Sequence, residues 1–95
     1  MARVTVLLHG EVAEKAKTNR LYLKGETVKD IFEQLKEKLP FIEEDLKYNR
    51  VVCLVNGRNI KTLKKENTKL EDFDMVGITL KGGGFIDFFP PDGGG

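Results

Sequence analysis

The segment Phe88-Phe89-Pro90-Pro91-Asp92-Gly93-Gly94-Gly95 closes the sequence and offers one reactive group, the terminal carboxylate of Gly95. A carboxylate lying on a folded surface does little. Residues 90–95 would carry it roughly 20 Å away from the body at ~3.3–3.6 Å per residue, far enough to enter the active site of another protein. Glycine has no side chain to block a narrow channel or a close approach to a nucleotide. Pro90-Pro91 ends any strand ladder and holds the exit direction with little entropy to lose. Pro90, Pro91, Gly93 and Gly94 are therefore the residues expected to thread a partner's active site. Of Phe88 and Phe89 at the root, one is expected in the core and the other exposed as an interface anchor.

The remaining reactive side chains form no constellation. Cys53 lies inside the apolar run Val51 to Val55 and reads as a packing thiol. His9 follows the first apolar alternation with no sequence partner for a triad or metal site. One cysteine and one histidine exclude an internal disulfide and a Cys/His zinc site. Arg58, Lys61, Lys64, Lys65 and Lys69 cluster, yet no aromatic residues are interleaved for base stacking, so a solvated face is expected and no nucleic acid. No catalytic residue and no metal ligand is expected.

These groups must be positioned by a single domain, because 95 residues leave no room for two cores. With 40% hydrophobic and 33% charged residues the chain is globular, and 16 Lys and Arg against 15 Asp and Glu leave a net charge of +1. No whole-molecule field draws it to nucleic acid or an anionic membrane. The sequence has no apolar run long enough for a signal peptide or a membrane span, and a cytoplasmic location with no membrane partner is expected.

Val4, Val6 and Leu8 alternate with Arg3, Thr5 and Leu7 as in a half-buried strand, and Leu21 and Leu23 continue the pattern in a second. The intervening Glu11 to Thr18 reads as a loop or one poor helical turn without an apolar face. Val28, Ile31, Phe32, Leu35 and Leu39 then line one face of a helix, with Thr27 and Asp30 spaced as a capping box and Pro40 as the stop. Phe41 to Arg50 reads as a turn or a second brief helix. The run Val51 to Val55 suits a strand buried on both faces, and is expected at the centre of the sheet. Asn56-Gly57 supplies the positive φ angles of a tight hairpin turn, with Arg58 to Ile60 returning. Met75 to Leu80 alternates again, and Phe85 to Phe89 is a last strand candidate. One good helix among five or six strands predicts an α+β domain, a mixed sheet wrapped on that helix in the β-grasp manner.

Taken together, Val4-Thr5-Val6-Leu7-Leu8, Thr27-Val28-Lys29-Asp30, Leu54-Val55-Asn56-Gly57-Arg58, Asp72-x-Asp74 and the terminal Phe89 to Gly95 resemble the ubiquitin-like sulfur carriers of the MoaD and ThiS type. The resemblance covers nearly the whole chain, and its most specific part is the Pro-Pro step running into terminal glycines. It implies a β-grasp domain over 1–89, with 90–95 as an extended tail. Residues 75–84 then form an inserted hairpin arm, and Phe85 to Phe89 is the closing strand. The opposite assignment makes Met75 to Leu80 that strand. Lys81-Gly82-Gly83 then resembles an internal ubiquitin-type end, with the last eleven residues appended.

The resemblance further implies that an ATP-dependent activating enzyme adenylates Gly95 and that sulfur transfer makes it a thiocarboxylate. No cofactor would be bound stably, since ATP is used by the activating enzyme. The sulfur acceptor would be a large molybdopterin-synthase-like subunit or another acceptor enzyme, with this chain the small non-catalytic subunit in molybdenum-cofactor synthesis. The acidic surface of Glu33, Glu37, Glu43 and Glu44, or the lysine face, could dock the activating enzyme. Two other readings use the same sequence: a ubiquitin-like modifier conjugated through Gly95 to target lysines, and a β-grasp interaction module independent of its tail.

Overall fold

The computed structural model describes residues 1–81. Strand β1 (Ala2–Leu8) runs to Gly10, which starts helix α1 (Glu11–Ala16), and β2 (Arg20–Gly25) returns antiparallel along β1. Helix α2 (Val28–Lys38) crosses the sheet, and α3 (Ile42–Lys47) leads to β3 (Val51–Val55) and the two-residue β4 (Arg58–Asn59). Single 3-10 turns at Ile60–Thr62 and Lys65–Asn67 precede β5 (Met75–Leu80).

The sheet order is β2-β1-β5-β3-β4, with β5 parallel to β1 and antiparallel to β3. This is the expected mixed β-grasp sheet. Val4, Val6 and Leu8 from β1, Val76 and Ile78 from β5 and Val51, Cys53 and Val55 from β3 form one buried cluster with Val28, Ile31, Phe32 and Leu35 of α2. Burying one Val, Leu, Ile or Phe side chain contributes about 1.5–3 kcal/mol, so this shared face is what holds helix to sheet.

The helix ends follow their sequence signals. The Asp30 carboxylate accepts from the backbone N–H groups of Glu26 and Thr27 at 2.8 and 3.2 Å, offsetting donors that the first helical turn cannot satisfy. At the other end Leu39 donates to the Leu35 carbonyl at 2.7 Å, and Pro40 permits no further turn.

Three sequence expectations are corrected. Glu11 to Ala16 does form a helix: Val12 is fully buried and Ala13 and Ala16 pack against the core, a face of small side chains that charge density obscures. Lys17, at φ 60°, ends it. The central strand is β5 and not Val51 to Val55, which lies between β5 and the short β4. Met75 to Leu80 is accordingly no inserted arm but a strand of the main sheet, hydrogen-bonded on both sides to β1 and β3. Apolar content misranks these two strands, because Gly77 and Thr79 dilute β5 even though both are buried. Phe85 to Phe89 and the boundary between 1–89 and 90–95 lie outside the described residues.

Candidate functional site

The position of Lys81, the last described residue, is set by β5. Val51 stands opposite Leu80, and the Lys81 N–H donates to the Arg50 carbonyl at 2.7 Å, the last of these backbone bonds among the described residues. On the other flank β1 has already ended, and the His9 N–H donates to the Ile78 carbonyl at 3.0 Å. Lys81 therefore stands between the end of β1 and the start of β3.

Arg50 is fixed beside Lys81. Its backbone N–H donates to the Asp45 carbonyl at 2.8 Å, its Nε donates to Asp45 Oδ1 at 2.9 Å, and its guanidinium lies 5.3 Å from the centre of the Tyr48 ring. A carboxylate and an aromatic face together hold a half-exposed cation in one place. Helix α3 presents Asp45, and Tyr48 stands at its C-cap.

The opposite end of β5 is clasped just as firmly. Asn56 adopts φ 51° and Gly57 φ 87°, as the hairpin turn requires. The Asn56 amide donates to Asp74 Oδ1 at 2.8 Å, and its carbonyl oxygen accepts from the Met75 N–H at 2.9 Å. Asp74 Oδ2 accepts from the Glu71 N–H, and Asp72 Oδ1 accepts from the Arg3 N–H. The Asn56-Gly57 and Asp72-x-Asp74 motifs, distant in sequence, thus form one hydrogen-bonded clasp that sets where β5 begins and so where it ends.

Gly95, with the threading residues Pro90, Pro91, Gly93 and Gly94 and the anchors Phe88 and Phe89, lies outside the described residues. Cys53 is 1% exposed, and burial pushes its thiol up to about 12, so it packs and does not react. His9 is half-buried at the strand end. Arg58, Lys61, Lys64, Lys65 and Lys69 are all exposed, as a solvated face should be. Among the described residues no cluster of three or more His, Cys, Asp or Glu could hold a metal ion, and no helix is long and apolar enough to cross a membrane. The sequence reading missed two exposed aromatics, Tyr22 on β2 and Phe73 in the turn before β5. Their signal was an aromatic on the polar phase of an alternating strand and another set between two acids.

The family model of the ThiS family matches residues 6–79, from the middle of β1 almost to the end of β5. The chain belongs to the ThiS family. The match supports Met75 to Leu80 as the closing strand of this ThiS-family fold. Small archaeal modifier protein 1 from Methanosarcina acetivorans is 34% identical, with a TM-score of 0.74 over 88% of this chain and 98% of that one. A protein described as molybdopterin converting factor subunit 1 from Pyrococcus furiosus is 21% identical, with a TM-score of 0.68 over 84% of this chain and 98% of that one. Urm1 from Trypanosoma brucei is 24% identical, with a TM-score of 0.62 over 85% and 95%. These last two establish the shared fold alone. No curated protein matches the chain in sequence. The ThiS-family chain is a ubiquitin-fold protein of the carrier or small-modifier kind, a class that is generally non-catalytic.

Proposed function

We propose that this protein is a sulfur carrier whose C-terminal glycine carboxylate, Gly95 in the full sequence, is adenylated and then converted to a thiocarboxylate. A carboxylate oxygen attacks the α-phosphorus of ATP in the activating enzyme and pyrophosphate leaves. A sulfur nucleophile then displaces AMP from the acyl carbon, so that oxygen is exchanged for sulfur. The carrier supplies the carboxylate, its delivery and its docking, and the partner supplies the acid-base and nucleophilic groups. The most fitting acceptor is a molybdopterin-synthase-like large subunit, with this chain as its small subunit.

The observation that supports this reading most is the ThiS-family body, matched over 6–79, whose central strand is pinned at both ends and leads into a glycine-bearing C-terminal segment. A second reading, conjugation through Gly95 to lysines of target proteins, is favoured by the 34% identity with small archaeal modifier protein 1. Both need the same first step. ATP–pyrophosphate exchange with the activating enzyme tests that step: the full chain should support exchange, and a chain lacking Gly94 and Gly95 should not. Equal exchange by the shortened chain would remove Gly95 from both readings, and no exchange by the full chain, with enzyme active on its own carrier, would favour a module independent of its tail.

A further inference from the structure

At the end of the sheet remote from Lys81, Phe73 is 84% exposed and Tyr22 is 73% exposed. Phe73 also has φ 71°, a left-handed conformation that a bulky residue adopts only when its surroundings enforce it. Here they do. The Phe73 N–H donates to the Arg3 carbonyl at 2.7 Å, the Thr5 N–H to the Asp74 carbonyl at 3.0 Å and the Asp74 N–H to the Glu71 carbonyl at 3.1 Å. The turn is thus fastened to β1 on both sides of Phe73, with its ring directed into water. A position that needs positive φ and has no core contact is best served by glycine or asparagine. An apolar ring held there at a cost in both strain and exposure points to a contact made outside the chain.

The surroundings define that contact. Phe73 and Tyr22 line a shallow groove of about 330 Å³ with Arg3, Val4, Thr5, Leu23 and Lys24. Its two charged residues are both cations. Arg3 lies directly opposite Lys24 in the β1–β2 register, and Arg20 follows on the same face beyond Tyr22. None of these three side chains has a carboxylate partner among the described residues. Of the three acids of the turn, Asp72 and Asp74 accept hydrogen bonds from the backbone and Asn56, Glu71 is exposed, and none of them lines the groove.

We infer that this corner of β1, β2 and the 71–74 turn is a docking surface for an acidic protein segment. Phe73 and Tyr22 are its apolar anchors, and Arg3, Lys24 and Arg20 pair with the segment's carboxylates. Apolar rings ringed by unpaired cations suit a segment in which acidic residues flank an aromatic or aliphatic one. Three cations are too few for a nucleic-acid track, which depends on many phosphate contacts. The length of β5, about 20 Å at ~3.3 Å per residue, separates this surface from Lys81 at the other end of the strand. The surface stands whether or not Gly95 carries sulfur.

The test is a titration of the isotope-labelled full chain, followed by backbone amide shifts, with a random Glu–Tyr copolymer as probe. Polylysine, heparin and single-stranded RNA serve as comparison probes. Saturable shifts centred on Arg3, Thr5, Tyr22, Lys24 and Phe73 are expected with the copolymer alone. Phe73→Asn, which suits the backbone angle, and the double change Arg3→Glu with Lys24→Glu should each weaken binding at least about tenfold. Their amide spectra elsewhere should keep the native pattern. Absence of saturable shifts, shifts centred elsewhere, undiminished binding by Phe73→Asn, or tighter binding of heparin or RNA at this corner would each overturn the proposal.

Discussion

Replacing Asn56 by glycine isolates the clasp that positions β5. Glycine keeps the φ of 51° without strain, so the change removes only the side-chain bonds to Asp74 and to the Met75 N–H, of 2.8 and 2.9 Å. The first involves a carboxylate, but both lie at the surface, where such bonds contribute toward the lower end of about 0.5–1.5 kcal/mol for neutral and about 1.5–3 kcal/mol for charged partners. The expected loss is about 2 kcal/mol, or about 8–16 °C in melting temperature for a domain of this size. Asn56→Ala retains the hydrogen-bond loss and adds about 1 kcal/mol for an alanine in the left-handed region. Urea unfolding of wild type, both variants, Asp74→Ala and the Asn56→Gly/Asp74→Ala pair would measure the bond directly as a coupling of about 1.5 kcal/mol. A midpoint for Asn56→Gly within about 0.5 kcal/mol of wild type, with no coupling to Asp74, would refute the argument that this contact fixes β5.

Other outcomes follow from the same physics. Burial raises the Cys53 thiol from 9.0 to about 12, so at pH 8 its thiolate population, and its labelling by a thiol reagent, should be about a thousandfold below that of a free cysteine. The same shift means that the unfolded chain ionises first. This contribution to stability is therefore complete below pH 9 and is lost as pH rises towards 12, measurable as a falling urea midpoint in alkali. Phe73→Asn should leave the melting temperature unchanged or raise it by the equivalent of up to about 1 kcal/mol, because it relieves strain at an exposed site; a clear loss of stability would show that the ring is structural. Gly25→Ala would place a Cβ 2.8 Å from that of Asp30 and 3.2 Å from Ile31 Cδ1. It should destabilise by about 1–3 kcal/mol in urea unfolding, and a neutral result would mean that the start of α2 shifts freely.

Local chemistry was the legible part of this sequence. The period of Val28, Ile31, Phe32 and Leu35, the Asp30 cap and the positive φ at Asn56-Gly57 all act within a few residues, and all stand in the structure. What depended on distant partners was harder to read. Val51 to Val55 is the most apolar run, yet centrality in a sheet is decided by which strands flank it, and the diluted Met75 to Leu80 holds that place. The short helix at Glu11–Ala16 was hidden because one fully buried valine and two alanines suffice where the sheet already supplies the opposing surface. Asn56 and Asp72-x-Asp74 were each visible as turn motifs, but not their union across the β3–β4 turn. Phe73 went unassigned because exposure is a property of the finished surface and not of the residue type.

The most direct measurement of the central claim is the intact mass of the full chain after incubation with its activating enzyme, ATP and a sulfur source. Exchange of one oxygen for sulfur should add about 16 Da, localised by fragmentation to the C-terminal glycine carboxylate. Localisation to Gly84 with loss of the last eleven residues would contradict Gly95 as the carrier atom's residue. An unmodified terminus, with enzyme shown to be active on its own carrier, would contradict the carrier function itself.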